Sequence, residues 1–244
     1  MIMAIVLIIL LFFAGRFLYK FSHGVSGISI TTRPKDGQIR VACVGDSITY
    51  GHGITGWPVN TYPYVLQKLL GKSYHVNNFG ASGRSVHNDT DRPYRKEPHY
   101  EKSLAYHADI VIFMMGTNDA KVSNWHGAEA FRSGLKTMLD SYKESRIVLC
   151  TPAAAFPQND SQKDVVCYDI QLHAVAQVDA VVREVSRERN LPLVDVQALT
   201  ASHPEWYLSD RIHPANAGAA AIAKEVGKTI VKLTAESTPA VSDQ

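Results

Sequence analysis

A chain of 244 residues, 45% apolar and 20% charged, has the length and balance of one α/β domain with an ordinary core. Its formal charge of +2, with no run of like charges, gives no reason to expect a nucleic-acid partner. Cys43, Cys150 and Cys167 lack the paired spacing of a zinc site; Cys43 and Cys150 fall in expected strands as buried thiols, and one disulfide with a leftover cysteine stays open.

Residues 1–15 carry no charged side chain, and residues 5–13 are an unbroken run of large apolar ones. At an extreme terminus this predicts a membrane-targeting segment over residues 1–24, either a signal peptide or an uncleaved anchor. The run is shorter than the roughly 20 residues that span a bilayer, but Phe17, Leu18 and Tyr19 extend it if Arg16 snorkels. No Lys or Arg precedes it, and Gly24-Val25-Ser26 is the best small-x-small cleavage candidate. Arg16 and Lys20 follow the run, which favours a cytoplasmic domain over a periplasmic or extracellular one; the expectation is a membrane-anchored or exported protein with the side left open. Residues 25–38 read as a linker.

Residues 41–44, Val-Ala-Cys-Val, predict a strand buried on both faces, as in a parallel sheet. It stops at Gly45 and delivers Ser47 into the turn beyond, where open α/β sheets bind ligands. An ordinary β-to-α turn with a capping hydroxyl fits the same residues. Residues 51–60 read as a Gly-rich loop and 62–70 as a helix, with Val65, Leu66, Leu69 and Leu70 at helical spacing and Gly71 as the stop. Residues 74–79 form the second strand. Residues 82–108 are a long segment poor in apolar residues, holding Arg84, Arg92, Tyr94, Arg95, His99 and Tyr100, and are expected to form one wall of a site.

Residues 109–115 predict a third strand ending at Gly116, and 128–142 a helix with Phe131, Leu135, Met138 and Leu139 on one face. Residues 146–150 are the fourth strand and 151–169 irregular. Residues 170–189 are helical, and their stripe of Val175, Val178, Val182 and Val185 is core packing rather than a cofactor site. Residues 193–196 predict a fifth strand and 216–233 an Ala-rich closing helix; 235–244 have the composition of a disordered tail. Strands alternating with helices along the chain predict a parallel sheet covered on both faces.

Four stretches stand out: Gly45-Asp46-Ser47, Asn78-Phe79-Gly80-Ala81-Ser82-Gly83, Gly116-Thr117-Asn118-Asp119 and Asp210-Arg211-Ile212-His213-Pro214. In these and in their order the sequence resembles the SGNH/GDSL hydrolases, a family of serine esterases and lipases. Tyr62-Pro63 and Asn124-Trp125 look most like the branch called sialate O-acetylesterase-like. The resemblance implies a flavodoxin-like three-layer αβα sandwich with a five-stranded parallel sheet over residues 39–234, and no cofactor.

The chemistry of the residues agrees. A serine hydroxyl needs a base to take its proton, and His213 matches that role because imidazole titrates close to neutrality. Asp210, three residues earlier, can orient the ring while its other nitrogen faces Ser47. Taken alone, Asp-x-x-His reads as a capping carboxylate beside a surface histidine, or as half of a metal site; the other nine histidines show no paired ligand spacing to complete one. Acyl transfer also builds negative charge on the carbonyl oxygen, and the resemblance assigns its donors to the backbone N–H groups of Ser47 and Gly80 and the side-chain amide of Asn118. A plain strand-end turn at Gly80 and an Asx-turn at Asn118 are the structural alternatives. Asp46 and Asp119 read as structural caps.

The resemblance implies removal of a small acyl group, an acetyl ester on a saccharide. Tyr94, Trp125, Trp57 and Tyr100 are candidates to stack on a sugar ring, and Arg84 or Arg92 to meet a sugar carboxylate. The alternatives are a membrane-associated lipase, lysophospholipase or thioesterase, an acyltransferase with the same four stretches, and a catalytically inactive carbohydrate-binding module.

Overall fold

A computed structural model describes residues 2–22 and 31–236, with side chains over 5–15 and 31–236. Helix α1 spans Ile2–Ser22, and its side chains over residues 5–15 are all exposed. Among the described residues no helix is long and apolar enough to cross a membrane. Residues 23–30, holding much of the expected linker, and 237–244, most of the expected tail, lie outside the described residues.

The strands are β1 (Ile39–Gly45), β2 (Tyr74–Gly80), β3 (Ile110–Met114), β4 (Arg146–Cys150) and β5 (Leu193–Val194). They pair in parallel in the order β2-β1-β3-β4-β5, the expected flavodoxin-like arrangement. Alternation along β1 sorts the two cores. Ala42 and Val44 face one layer, with Val111, Phe113 and Leu149 of the neighbouring strands; Phe131 and Leu135 of α5 (Ala128–Asp140) and Val178 and Val182 of α6 (Leu172–Glu188) cover them. Val41 and Cys43 face the other, against Leu66 of α3 (Tyr62–Leu70) and Ile222, Val226 and Ile230 of α8 (Asn216–Ala235). A strand buried on both sides has no polar face to show, which is why β1 reads as a continuous apolar run.

Three further α-helices are present among the described residues. Helix α2 (Ser47–Tyr50) follows β1 directly. Helix α4 (Pro98–Ala105) lies inside the segment expected to be irregular; it buries His99, Tyr100 and Ser103 instead of an aliphatic stripe, so it lacks the usual periodic signal. Helix α7 (Val196–Ala201) shortens β5 relative to expectation, because Asp195 caps it by accepting from the Ala198 N–H at 2.9 Å. All three cysteines are free thiols, with Cys43 and Cys150 buried.

Candidate active site

Because β1 turns at once into α2, Ser47 is the first residue of a helix at the carboxyl end of a central strand. Asp46 caps that helix, its Oδ1 accepting from the Ile48 N–H at 3.0 Å. As the first helical residue, Ser47 also presents one of the N–H groups that have no acceptor within the helix.

The other end of the chain supplies the base. The Leu208 N–H donates to the His213 carbonyl at 2.9 Å, closing a tight turn. Inside it, Asp210 Oδ1 accepts from the N–H groups of Ile212 at 2.9 Å and His213 at 3.0 Å. This turn sets the two side chains together: His213 Nδ1 lies 2.7 Å from Asp210 Oδ2, and His213 Nε2 lies 2.8 Å from Ser47 Oγ. A carboxylate only accepts, so the pairing assigns the ring proton to Nδ1 and leaves Nε2 to accept from the serine hydroxyl. Ser47 is 8% exposed and His213 6%. Burial works against charge on Asp210, but the hydrogen bond and charge of His213 and the two backbone N–H groups outweigh it and hold its carboxyl well below the usual carboxylate range.

These side chains open into a cleft of about 380 Å³ lined also by Ile48, His52, Gly83, Asn118, Tyr168 and Ile212. The Asn118 amide is held by the Arg84 carbonyl at 3.1 Å, while its contact to Asp46 Oδ2 is a long 3.4 Å. Asn124 steadies the same loop by donating to the Asn118 carbonyl at 3.0 Å.

Gly80 does not fit the donor role the resemblance assigned to it. Its N–H donates to Asn78 Oδ1 at 2.8 Å. A Cβ at this position would stand 2.1 Å from the Tyr50 nitrogen, so glycine is needed for the close approach of α2 to β2. Three residues on, Gly83 lines the cleft, takes a φ of +77° that favours glycine, and has an N–H with no partner among the described residues. It is the second glycine of the Asn78–Gly83 stretch, and the signal for it was in that stretch.

The expected substrate contacts are also placed elsewhere. The Arg84 guanidinium is 9% exposed as a residue and is occupied by Glu97 Oε1 (2.8 Å from Nε) and the Ser82 carbonyl (2.6 Å from Nη1). Tyr94 is fully buried and donates to the Phe79 carbonyl at 2.6 Å. Tyr100 is buried and donates to Ser141. Trp57 donates to the Tyr50 carbonyl and lines a separate pocket. Trp125 packs against the apolar clusters that hold α5 and α6. Of the two arginines considered for a sugar carboxylate, Arg92 is the one that lines the cleft.

Two residues that the sequence did not single out do reach the site. The ring of His52 lies 4.5 Å from that of His213; burial, and then the charge of His213, push its imidazole below its ordinary value. Tyr168 stands edge-on to His213 at 5.5 Å and donates to Asp210 Oδ2 at 3.3 Å. It and Asp169 hold positive φ angles of 61° and 59°, strained for side-chain-bearing residues. His52, Asp210 and His213 have potential ligand atoms within 4.8 Å of one another. Both nitrogens of His213 and one Asp210 oxygen are already committed to the serine–histidine–aspartate chain, so the donor set suits proton transfer better than a metal ion.

The fold and the placement of a serine at the end of β1 define an α/β hydrolytic scaffold. A model of the GDSL-like Lipase/Acylhydrolase family matches residues 43–221, and the chain belongs to that family. It is 33% identical over 218 residues to an acetylxylan esterase of Xylanibacter ruminicola, an alignment covering 81% of this chain and 44% of that protein; the chain thus spans less than half of that relative's length. Its fold is similar to that of a carbohydrate acetylesterase family member from Sinorhizobium meliloti (20% identity, TM-score 0.66, 80% of this chain and 99% of that one). It is also similar to a lipase/acylhydrolase from Enterococcus faecalis (22% identity, TM-score 0.62, 80% of this chain and 96% of that one).

Proposed function

We propose that the protein is a serine esterase that removes acetyl groups from a saccharide. The observation that carries this reading is the unbroken chain from Ser47 Oγ through His213 to Asp210 at the floor of an open cleft. His213 Nε2 takes the hydroxyl proton as Ser47 Oγ attacks the ester carbonyl, and Asp210 stabilises the imidazolium that forms. The oxyanion meets the N–H groups of Ser47 and Gly83 and the amide of Asn118. Collapse breaks the bond to the sugar oxygen, which takes the proton back from His213. Water, deprotonated by the same ring, then releases acetate and restores the serine.

The acetyl and saccharide parts of the reading are supported by the acetylxylan esterase relative. A chain-length series of p-nitrophenyl esters, run beside a panel of acetylated sugars, tests them. A steep fall in kcat/KM beyond acetyl, with deacetylation of at least one sugar, is the expected result; a preference for long acyl chains would favour a lipase instead. We also propose attachment to a membrane through α1, supported by the exposed apolar side chains of residues 5–13.

A further inference from the structure

Lys224, Lys228 and Lys232 recur every fourth residue along α8 and are all exposed, so they share one outer face. A shallow groove beside them, between α8 and α3, is lined by Leu69, Leu70, Gly227 and Val231. Leu69 is 57% exposed and Val231 55%. Lys68 and Lys72 lie close to Leu69 in the chain and are exposed as well. Against these five lysines stand Glu225, tied to Lys228 at 2.7 Å, and Glu236 at the helix end. Five lysines against two glutamates leave this flank with a local positive excess, while the whole chain carries only +2. A low apolar ridge bordered by lysines suits anionic lipid: the apolar tips enter the headgroup layer and the ammonium groups meet phosphates.

The flank also adjoins the segment that enters β1. Gln38, just before β1, donates to the carbonyls of Lys72 at 2.8 Å and Tyr74 at 3.3 Å, so the entering segment runs beside the end of α3. Helix α8 starts three residues after His213 and ends at the amino ends of the strands, where Arg146 at the start of β4 donates to the Leu233 carbonyl and the hydroxyl of Tyr74, at the start of β2, meets Thr234. Lys228 and Lys232 thus stand on the second half of α8, with Lys224 just before its midpoint, away from the strand ends that carry the cleft.

We propose that the α3–α8 face lies on an anionic phospholipid surface, so that the domain rests on its flank with the cleft open to water. The test uses the full-length protein with vesicles of phosphatidylcholine alone or with phosphatidylglycerol added, comparing wild type with a Lys224→Gln/Lys228→Gln/Lys232→Gln variant. The wild type should partition onto the anionic vesicles about 100-fold more strongly than onto neutral ones at physiological salt, and that preference should shrink as salt is raised. The variant should lose most of the preference yet hydrolyse a soluble ester at the wild-type rate. If α1 alone saturates binding to both vesicles, amine-reactive labelling of the bound wild type decides: Lys224, Lys228 and Lys232 should be protected on anionic vesicles only, with Lys163 equally reactive on both. A wild type without anionic preference and without that protection overturns the proposal. So does a variant that keeps the preference, or a face that pairs two copies in lipid-free solution.

Discussion

The side-chain oxygen of Asn78 holds the backbone N–H of Gly80 at 2.8 Å, turning that donor away from any substrate. On the proposed reading the oxyanion meets Ser47, Gly83 and Asn118, and substitutions at Asn118 and Gly80 should fail differently. Asn118→Ala should lower kcat by about 10²–10³ while leaving KM nearly unchanged, the scale of one lost oxyanion donor. Gly80→Ala should instead lower stability, because its Cβ meets the backbone of Tyr50. Parallel kinetics and urea denaturation of the two variants separate the roles. A Gly80→Ala protein of normal stability and reduced kcat would return the donor role to Gly80.

Ser47→Ala and His213→Ala should each lower kcat/KM for p-nitrophenyl acetate by at least about 10⁴, and the double variant should be little worse than either alone. The two groups act as one unit across their 2.8 Å contact, so their losses do not add. A fluorophosphonate probe should label the wild type at Ser47 and leave Ser47→Ala unlabelled. Undiminished turnover in Ser47→Ala would end the esterase assignment.

Tyr168 shares Asp210 Oδ2 with His213. Its hydroxyl, 3.3 Å from that oxygen, helps to hold the carboxylate in place beside the ring. Other groups around the ring are His52, the Ser47 hydroxyl, and, lining the same cleft, Asp91, Arg92 and Lys121. Tyr168→Phe keeps the edge-on ring and removes the hydroxyl alone. Asp210 Oδ2 then serves His213 alone and loses one of the groups that fix its orientation beside the ring. The loss of kcat/KM at the optimum should be roughly fivefold, the scale of one hydrogen bond. Undiminished turnover in Tyr168→Phe would make Tyr168 a packing residue.

Much of this arrangement was legible in the chain because it depends on local rules. Residues 41–44 could only be a strand buried on both faces, and the helices over α3, α5, α6 and α8 carry apolar stripes at helical spacing. Asp210 and His213 were readable as a pair because one turn sets both. What was misread depends on tertiary contacts. Tyr94 and Arg84 have the polar tips expected of a site wall, yet their partners, the Phe79 carbonyl and Glu97, lie 15 and 13 residues away and draw them inward. Gly80 and Gly83 belong to one short stretch, and only the packing of α2 on β2 tells which is structural. Tyr168 reaches Asp210 through a positive φ, a conformation that its residue type does not announce.

Beneath the cleft, Asp46 and Asp119 are buried to 2% and 1% exposure. Burial pushes Asp46 up to about 6 and Asp119 up to about 7, although backbone N–H groups of Ile48, His87 and Val86 pull the other way. In the unfolded chain both titrate near about 4. Between about pH 4 and 7 the native state thus holds more protons than the unfolded one, and stability falls as pH rises across that window. Asp210 acts in the opposite sense: its depressed value adds stability above about pH 4 that is lost as pH falls into acid. From pH 5 to pH 8 the buried pair should dominate. Asp119→Asn keeps an oxygen to accept from the Val86 and His87 N–H groups but has no charge to bury. Urea denaturation at the two pH values should show the wild type losing stability at pH 8. The variant should lose less, by on the order of 1–3 kcal/mol. A wild type equally stable at both, with the variant weaker by a constant amount, would mean that Asp119 folds as a carboxylate sustained by its backbone donors.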